Sequence, residues 1–161
     1  MFGVLRTGVP TTLPDSARRT LTRLRHEEPG SRLALDPDQA RRIGPRRAAL
    51  YLIPARDGIC VVHGRNGGCS DDLDAISEHG LIFWVTHDRD QQTERRPMDM
   101  YGAVPDGVRT VSAVPSGWSD ELVGTNTNKN GYRIRAAGPI RSLIFLGPRG
   151  NVTVSRPKRP G

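Results

Sequence analysis

From Ala48 onward the apolar positions come in short runs, each closed by a turn signal. Ala48-Ala49-Leu50-Tyr51-Leu52-Ile53 is bounded by Arg47 and Pro54, the pattern of a buried strand. Asp57-Gly58 then reads as a turn and Ile59-Cys60-Val61-Val62-His63 as the returning strand of a hairpin. Gly64 to Gly68 reads as a polar loop. Asp71 to His79 reads as a short helix, with acids at its positive end, Leu73 and Ile76 toward the core, and Gly80 as its stop. Leu81 to Val85 is a further apolar strand, and His87 to Pro97 a charged loop. Tyr101–Val104, Val108–Val114, Leu122-Val123, Ile140–Leu146 and Val152–Val154 read as strands separated by Pro/Gly turns. In Pro105-Asp106-Gly107 proline fixes φ and glycine accepts a positive one. The clearest period-2 stretch is Tyr132, Ile134 and Ala136 alternating with Arg133 and Arg135.

The first third of the chain follows a different pattern. Residues 1–14, with Pro10 and Pro14, read as an extended arm. Asp15 or Ser16 can cap a helix running to about Glu27, with Ala17, Leu21 and Leu24 on one face. Asp36-Pro37 starts a second, short helix to Ile43, stopped by Gly44-Pro45. The expected organisation is an N-terminal arm over 1–47, a mainly-β domain over 48–154 and a basic tail over 155–161. Strands recurring with turns every 8–12 residues imply an antiparallel sandwich or a partly open barrel, with a short helical N-terminal arm and one short inserted helix.

Charge changes this picture more than composition does. Of 24 basic residues in 161, 22 are Arg, and the formal net charge is +7. Residues 1–50 and 101–161 are basic while 51–100 are acidic, a distribution suited to an anionic partner at the two ends. Arg18, Arg19, Arg23 and Arg25 on the first helix are the candidate polyanion-binding residues; a solvated face on a docked helix accounts for the same pattern. The apolar run lengths are too short for a membrane-spanning helix. Met1 to Arg6 lacks the charged leader, apolar stretch and cleavage site of a signal peptide, so the chain as written is expected in the cytoplasm. Trp84, inside an apolar run, reads as core; Trp118, in a Gly-Ser-Asp turn, as the more exposed of the two.

Chemistry-bearing constellations are sparse. Cys60 and Cys69 flank one flexible loop and suit a disulfide joining the second strand's exit to the inserted helix; two reduced thiols are the alternative. Zinc would need Cys60, His63, Cys69 and His79, but only Cys60-x-x-His63 has ligand spacing. Cys60 and His63 sit three apart on one strand and so point to opposite faces; Cys69 could meet His79 or His87 only through tertiary contact. Asp71, Asp72, Asp74 and Glu78 do not fit an EF-hand, because Leu73 and Ala75 occupy ligand positions. No nucleophile elbow, phosphate loop or dinucleotide fingerprint occurs. No catalytic residue, metal site or cofactor is expected.

The stretch Gly102-Ala103-Val104-Pro105-Asp106-Gly107-Val108, with Leu50–Pro54, Gly58–Val61, Cys69 and the opening Phe2-Gly3-Val4-Leu5-Arg6, resembles a group of uncharacterised, typically exported bacterial proteins. These carry Gly-x-Val-Pro-Asp-Gly-Val ahead of a β-meander. The resemblance implies an extracytoplasmic β-domain and favours the disulfide; it implies no activity. Two functions stay in view: a non-catalytic binding or structural module of the cell envelope, and a cytoplasmic Arg-rich binder of nucleic acid or another polyanion. A small Cys/His-dependent enzyme ranks third.

Overall fold

The structure, a computed structural model, describes residues 2–46, 48–86, 98–116, 122–148 and 150–155, with the backbone alone for 83–86 and 98. The expectations for the 87–97 loop, His87, Trp118, the Trp84 side chain and the tail beyond Ser155 lie outside the described residues.

The protein is mainly β, with three antiparallel sheets, no closed barrel among the described residues and a few short helices. Sheet 1 joins β1 (Arg41–Ile43), β2 (Leu50–Ala55), β3 (Gly58–His63) and β4 (Asn66–Ser70) in that order. Sheet 2 is β5 (Leu81–Thr86), β6 (Met98–Ala103) and β9 (Gly131–Ala136). Sheet 3 runs β11 (Gly150–Ser155), β10 (Ile140–Gly147), β7 (Thr110–Pro115) and β8 (Val123–Asn126). The helices are α1 (Gly3–Thr7), α2 (Asp15–Leu24) and α3 (Leu73–Glu78).

Strand alternation explains the layering, because successive side chains point to opposite faces. Tyr51 and Ile53 of β2, with Cys60 and Val62 of β3, pack against Ala17, Leu21 and Leu24 of α2. Their neighbours Leu50, Leu52, Ile59 and Val61 pack against Leu81, Tyr101 and Ala103 of sheet 2. The two central strands of sheet 1, β2 and β3, are therefore buried on both faces, which is why they read as continuous apolar runs. On the far side of sheet 2, Met100, Tyr132, Ile134 and Ala136 pack against Val111, Ala113, Leu143 and Phe145 of sheet 3. Apolar clusters thus separate α2, sheet 1, sheet 2 and sheet 3.

Several local expectations are corrected. The start of the chain is not an extended arm: Gly3–Thr7 is helical, and Phe2 and Val4 are buried in the same cluster as Leu50 and Tyr101. Helix α2 is capped by Pro14 with no side-chain bond and ends at Leu24, three residues early. Asp36 does cap, accepting from the Asp38 and Gln39 N–H groups, but only one 3-10 turn follows. Pairing of Arg41 with Leu52 and of Ile43 with Leu50 draws the next residues into β1, so a tertiary ladder overrides a local helix start. The expected polar loop 64–68 is instead a tight turn entering β4. Ile76 is buried as expected, whereas Leu73 is 56% exposed, because only one narrow side of the six-residue α3 touches the core. No helix of the described residues is long and apolar enough to cross a membrane.

Candidate functional site

Helix α2 sets the predicted basic surface. Burying Ala17, Thr20, Leu21 and Leu24 fixes the helix rotation, and that rotation divides the four arginines. Arg18 and Arg25 fall on one flank, over a hollow of about 390 Å³ shared with Thr11, Leu21 and Asp38. There Arg18 Nε donates to the Leu13 carbonyl at 2.9 Å and Arg25 Nη2 to the Leu35 carbonyl at 3.3 Å. These two guanidinium groups brace the chain on either side of α2. Arg19 and Arg23 fall on the other flank, over a second hollow of about 390 Å³ lined with Ser16, Thr20 and Arg65.

Arg65 reaches that hollow through the β3–β4 hairpin. The Thr20 hydroxyl, 4% exposed, donates to the Gly64 carbonyl at 2.7 Å and ties the hairpin turn to the helix. Gly64 has φ +56°, a conformation that side chains with a Cβ rarely adopt. Gly67 lets α2 approach, since a Cβ there would lie 2.7 Å from the Val61 carbonyl and 3.2 Å from Leu24 Cδ1. The hairpin is closed covalently: Cys60 and Cys69 are opposite one another in the β3–β4 register, 4.0 Å apart at Cα, and form a disulfide. The bond therefore joins two adjacent strands rather than a strand to α3. Arg23 pairs with Glu27 at 2.7 Å, while Arg19 and Arg65 make no ion pair or hydrogen bond among the described residues.

The disulfide consumes both thiols that zinc or a cysteine nucleophile would require. Among the described residues no three His, Cys, Asp or Glu side chains group as a metal site. As strand alternation requires, Cys60 packs beneath α2 while His63 turns to the opposite face.

That opposite face holds a polar cluster that the sequence reading missed. Asp99 of β6 is 1% exposed and accepts from Arg133 Nη2 of β9 at 3.0 Å. The Arg133 guanidinium lies 5.5 Å from the centre of the Tyr101 ring. His63 stacks on the same ring at 4.0 Å. Burial lowers the His63 pKa against the opposing pull of the Ala48 and Ala49 carbonyls, with Arg133 adding to the decrease. Burial, then the Asp99 charge, raises that of Tyr101. The bond to Asp99 raises that of Arg133. The directions of these shifts favour a neutral imidazole and a neutral phenol beside the Asp99–Arg133 ion pair. The cluster's signal was available: Arg133 and Arg135 face away from the apolar side of β9, and the register sets them opposite Tyr101 and Asp99.

A third constellation explains the Val-Pro-Asp-Gly stretch. The Asp106 carboxylate accepts from the Gly3 N–H, from Asn130 Nδ2 at 3.0 Å and from Arg6 at 3.0 Å. Asn130 also accepts from the Val4 N–H at 3.0 Å and donates to the Val104 carbonyl. Partial burial would raise the Asp106 pKa, but the bonds from Asn130 and Gly3 and the Arg6 charge outweigh it and hold the carboxyl below its usual range. Asp106 is a clasp for α1.

Comparison with protein-family models, with curated proteins and with solved structures finds no match for this chain.

Proposed function

We propose that this protein is a non-catalytic, disulfide-braced β-module that works in an oxidising, extracytoplasmic compartment and holds an anionic polymer on the Arg19–Arg23–Arg65 surface. One observation carries the reading: the Thr20–Gly64 bond seats a hairpin arginine over the same hollow as two helix arginines. Arg19 and Arg65 there make no ion pair among the described residues. Guanidinium forks on a rigid helix and a crosslinked hairpin suit repeating phosphate or sulfate groups. Arg18 and Arg25, predicted as part of the same surface, are assigned instead to bracing α2. A cytoplasmic binder of nucleic acid would use the same arginines; the Cys60–Cys69 bond favours the oxidising compartment.

The test uses a fluorescent single-stranded oligonucleotide as a generic phosphodiester polymer. Three neutralised phosphates give a slope of about −2 in log affinity against log salt, so affinity should fall about 15-fold between 50 and 200 mM salt. The Arg19→Gln/Arg65→Gln double variant should abolish binding, and Arg25→Gln should leave it within about twofold. Absence of binding at 50 mM salt, or equal loss in both variants, would overturn the assignment.

A further inference from the structure

Among the described residues, strand β11 is an edge, bonded to β10 and to no other strand. Its six residues, Gly-Asn-Val-Thr-Val-Ser, are exposed or half-buried. They include no charge and no proline, the devices that ordinarily blunt a sheet edge. The other edge of sheet 3, β8, is four residues long and packs against β9. The edge of sheet 1 at β1 is three residues long and carries Arg41 and Arg42.

Beside the N-terminal end of β11, a cleft of about 380 Å³ opens between sheet 3 and α3. Its floor is Val108, Phe145 and Val152, and its rim carries Asp74 and Glu78. These two carboxylates are one helical turn apart and exposed, and they make no ion pair among the described residues. Asp106, on the same rim, already holds Arg6. A free strand edge thus adjoins an acidic, apolar-floored cleft, and the chain that leaves β11 reads Arg156-Pro157-Lys158-Arg159.

We infer that β11 pairs with β11 of a second copy of this chain, and that the basic segment beyond Ser155 of each copy enters the acidic cleft of the other. A twofold axis perpendicular to a sheet pairs antiparallel strands so that paired side chains share a face. With Thr153 on the axis, Val152 lies opposite the second copy's Val154, and Asn151 opposite its Ser155. In this register the second copy's β11 ends at Ser155, one position short of Gly150 and the cleft, where its basic segment begins. The stem of a long cationic side chain suits the apolar floor, and its head suits Asp74 and Glu78. Sheet 3 of each copy then continues into the other, both edges are closed, and both clefts receive an opposite charge. Basic strand ends meeting acidic rims also favour this partner over a neutral peptide.

The experiment is light scattering on the intact oxidised protein from 1 to 200 µM. It should give twice the 17.7 kDa chain mass at the upper end, and a dissociation constant that weakens as salt rises. Thr153→Lys, a change at an exposed position, should leave the melting temperature unchanged and weaken dimerisation at least tenfold by placing like charges on the axis. Arg156→Glu should do the same, and Asp74→Lys/Glu78→Lys combined with Arg156→Glu should restore association. Thr153→Cys should crosslink two chains under mild oxidation, while Asn151→Cys should not. A monomer at every concentration would overturn the inference, including one that takes up an added Arg-rich peptide. So would a dimer indifferent to Thr153→Lys, or one that crosslinks through Asn151→Cys instead. None of these readouts depends on Arg19 or Arg65, so failure here leaves the polymer-binding proposal to its own test.

Discussion

Reducing the Cys60–Cys69 bond is a perturbation whose size can be worked from the structure. The crosslink spans nine positions of sequence. The loop-entropy relation then gives about 2.6 kcal/mol at 25 °C, by constraining the unfolded chain. The native state should change little. Cys60 is fully buried among Tyr51, Val62 and Leu24, and a thiol is a good small apolar residue in that setting. The β3–β4 ladder runs over five residue pairs on both sides of the bond, so the hairpin does not need the crosslink for its register. For a chain of 161 residues with an unfolding entropy of about 2.1 cal/mol/K per residue, that loss should lower the melting temperature by about 8 °C. The assay is calorimetry or circular-dichroism melting, with and without a phosphine reductant, and alkylation to confirm the thiol state. Oligonucleotide binding of the reduced protein at 25 °C should stay within about twofold, because the contribution lies in the unfolded state. A shift under 2 °C would refute the entropic argument. Unfolding on reduction at 25 °C would show that the hairpin, and Arg65 with it, depends on the bond directly.

Other consequences are more local. Tyr132 is fully buried and its hydroxyl has no hydrogen-bond partner among the described residues, so Tyr132→Phe should stabilise by about 1 kcal/mol in urea unfolding. Asp106→Asn should cost on the order of 1 kcal/mol at pH 6 by loosening α1. The folded carboxyl is held below its unfolded value, so its contribution is full above about pH 4 and is lost as pH falls through the folded pKa; the variant should show a shallower acid slope. His63 behaves in the same sense for a different reason. Burial lowers its folded pKa, so the unfolded chain takes the proton first, and stability is full above about pH 6.5 and declines below it. His63→Phe keeps a ring on Tyr101 and should flatten that decline in melting temperature between pH 6.5 and 5.

Much of the fold was legible because strand burial writes itself into the sequence at period two. The Tyr132, Ile134, Ala136 alternation corresponds to three buried side chains facing sheet 3. The unbroken run at Leu50–Ile53 corresponds to a strand covered on both faces. What failed was local in form and tertiary in cause. Gly67 and Gly68 resemble a loop, yet they pair with Val62 and Val61 in β4, and a Cβ at Gly67 would crowd the Val61 carbonyl at 2.7 Å. Asp36-Pro37 resembles a helix start, yet ladder pairing takes over within a few residues. The candidate site was legible only in part. Four neighbouring arginines on α2 look like one group in sequence, but the helix rotation that buries Leu21 and Leu24 sends two of them to brace the backbone. Arg65, from another part of the chain, takes their place. The polar face of β9 at Arg133 and Arg135 signalled a buried acidic partner, but not which one, because Asp99 lies on a strand more than thirty residues away.

The Gly-Ala-Val-Pro-Asp-Gly-Val stretch shows why a structural motif says so little about activity. Gly102 lies opposite Tyr132 in the β6–β9 register, and a Cβ there would sit 2.6 Å from the tyrosine ring. Val104 and Val108 are buried in the cluster between sheets 2 and 3. Gly107 adopts φ +88° to make the turn, and Asp106 holds α1. Glycine, both valines, aspartate and the second glycine thus have roles in packing, turning or clasping, so the motif can be required in full by a chain of this fold whatever that chain binds. Binding would then fall to surfaces the motif leaves unconstrained, the outer flank of α2 with the hairpin tip at Arg65, and the β11 edge with its cleft. Changes at Gly102 or Asp106 should therefore act on stability first, and changes at Arg19, Arg65 or Thr153 on association with the fold intact.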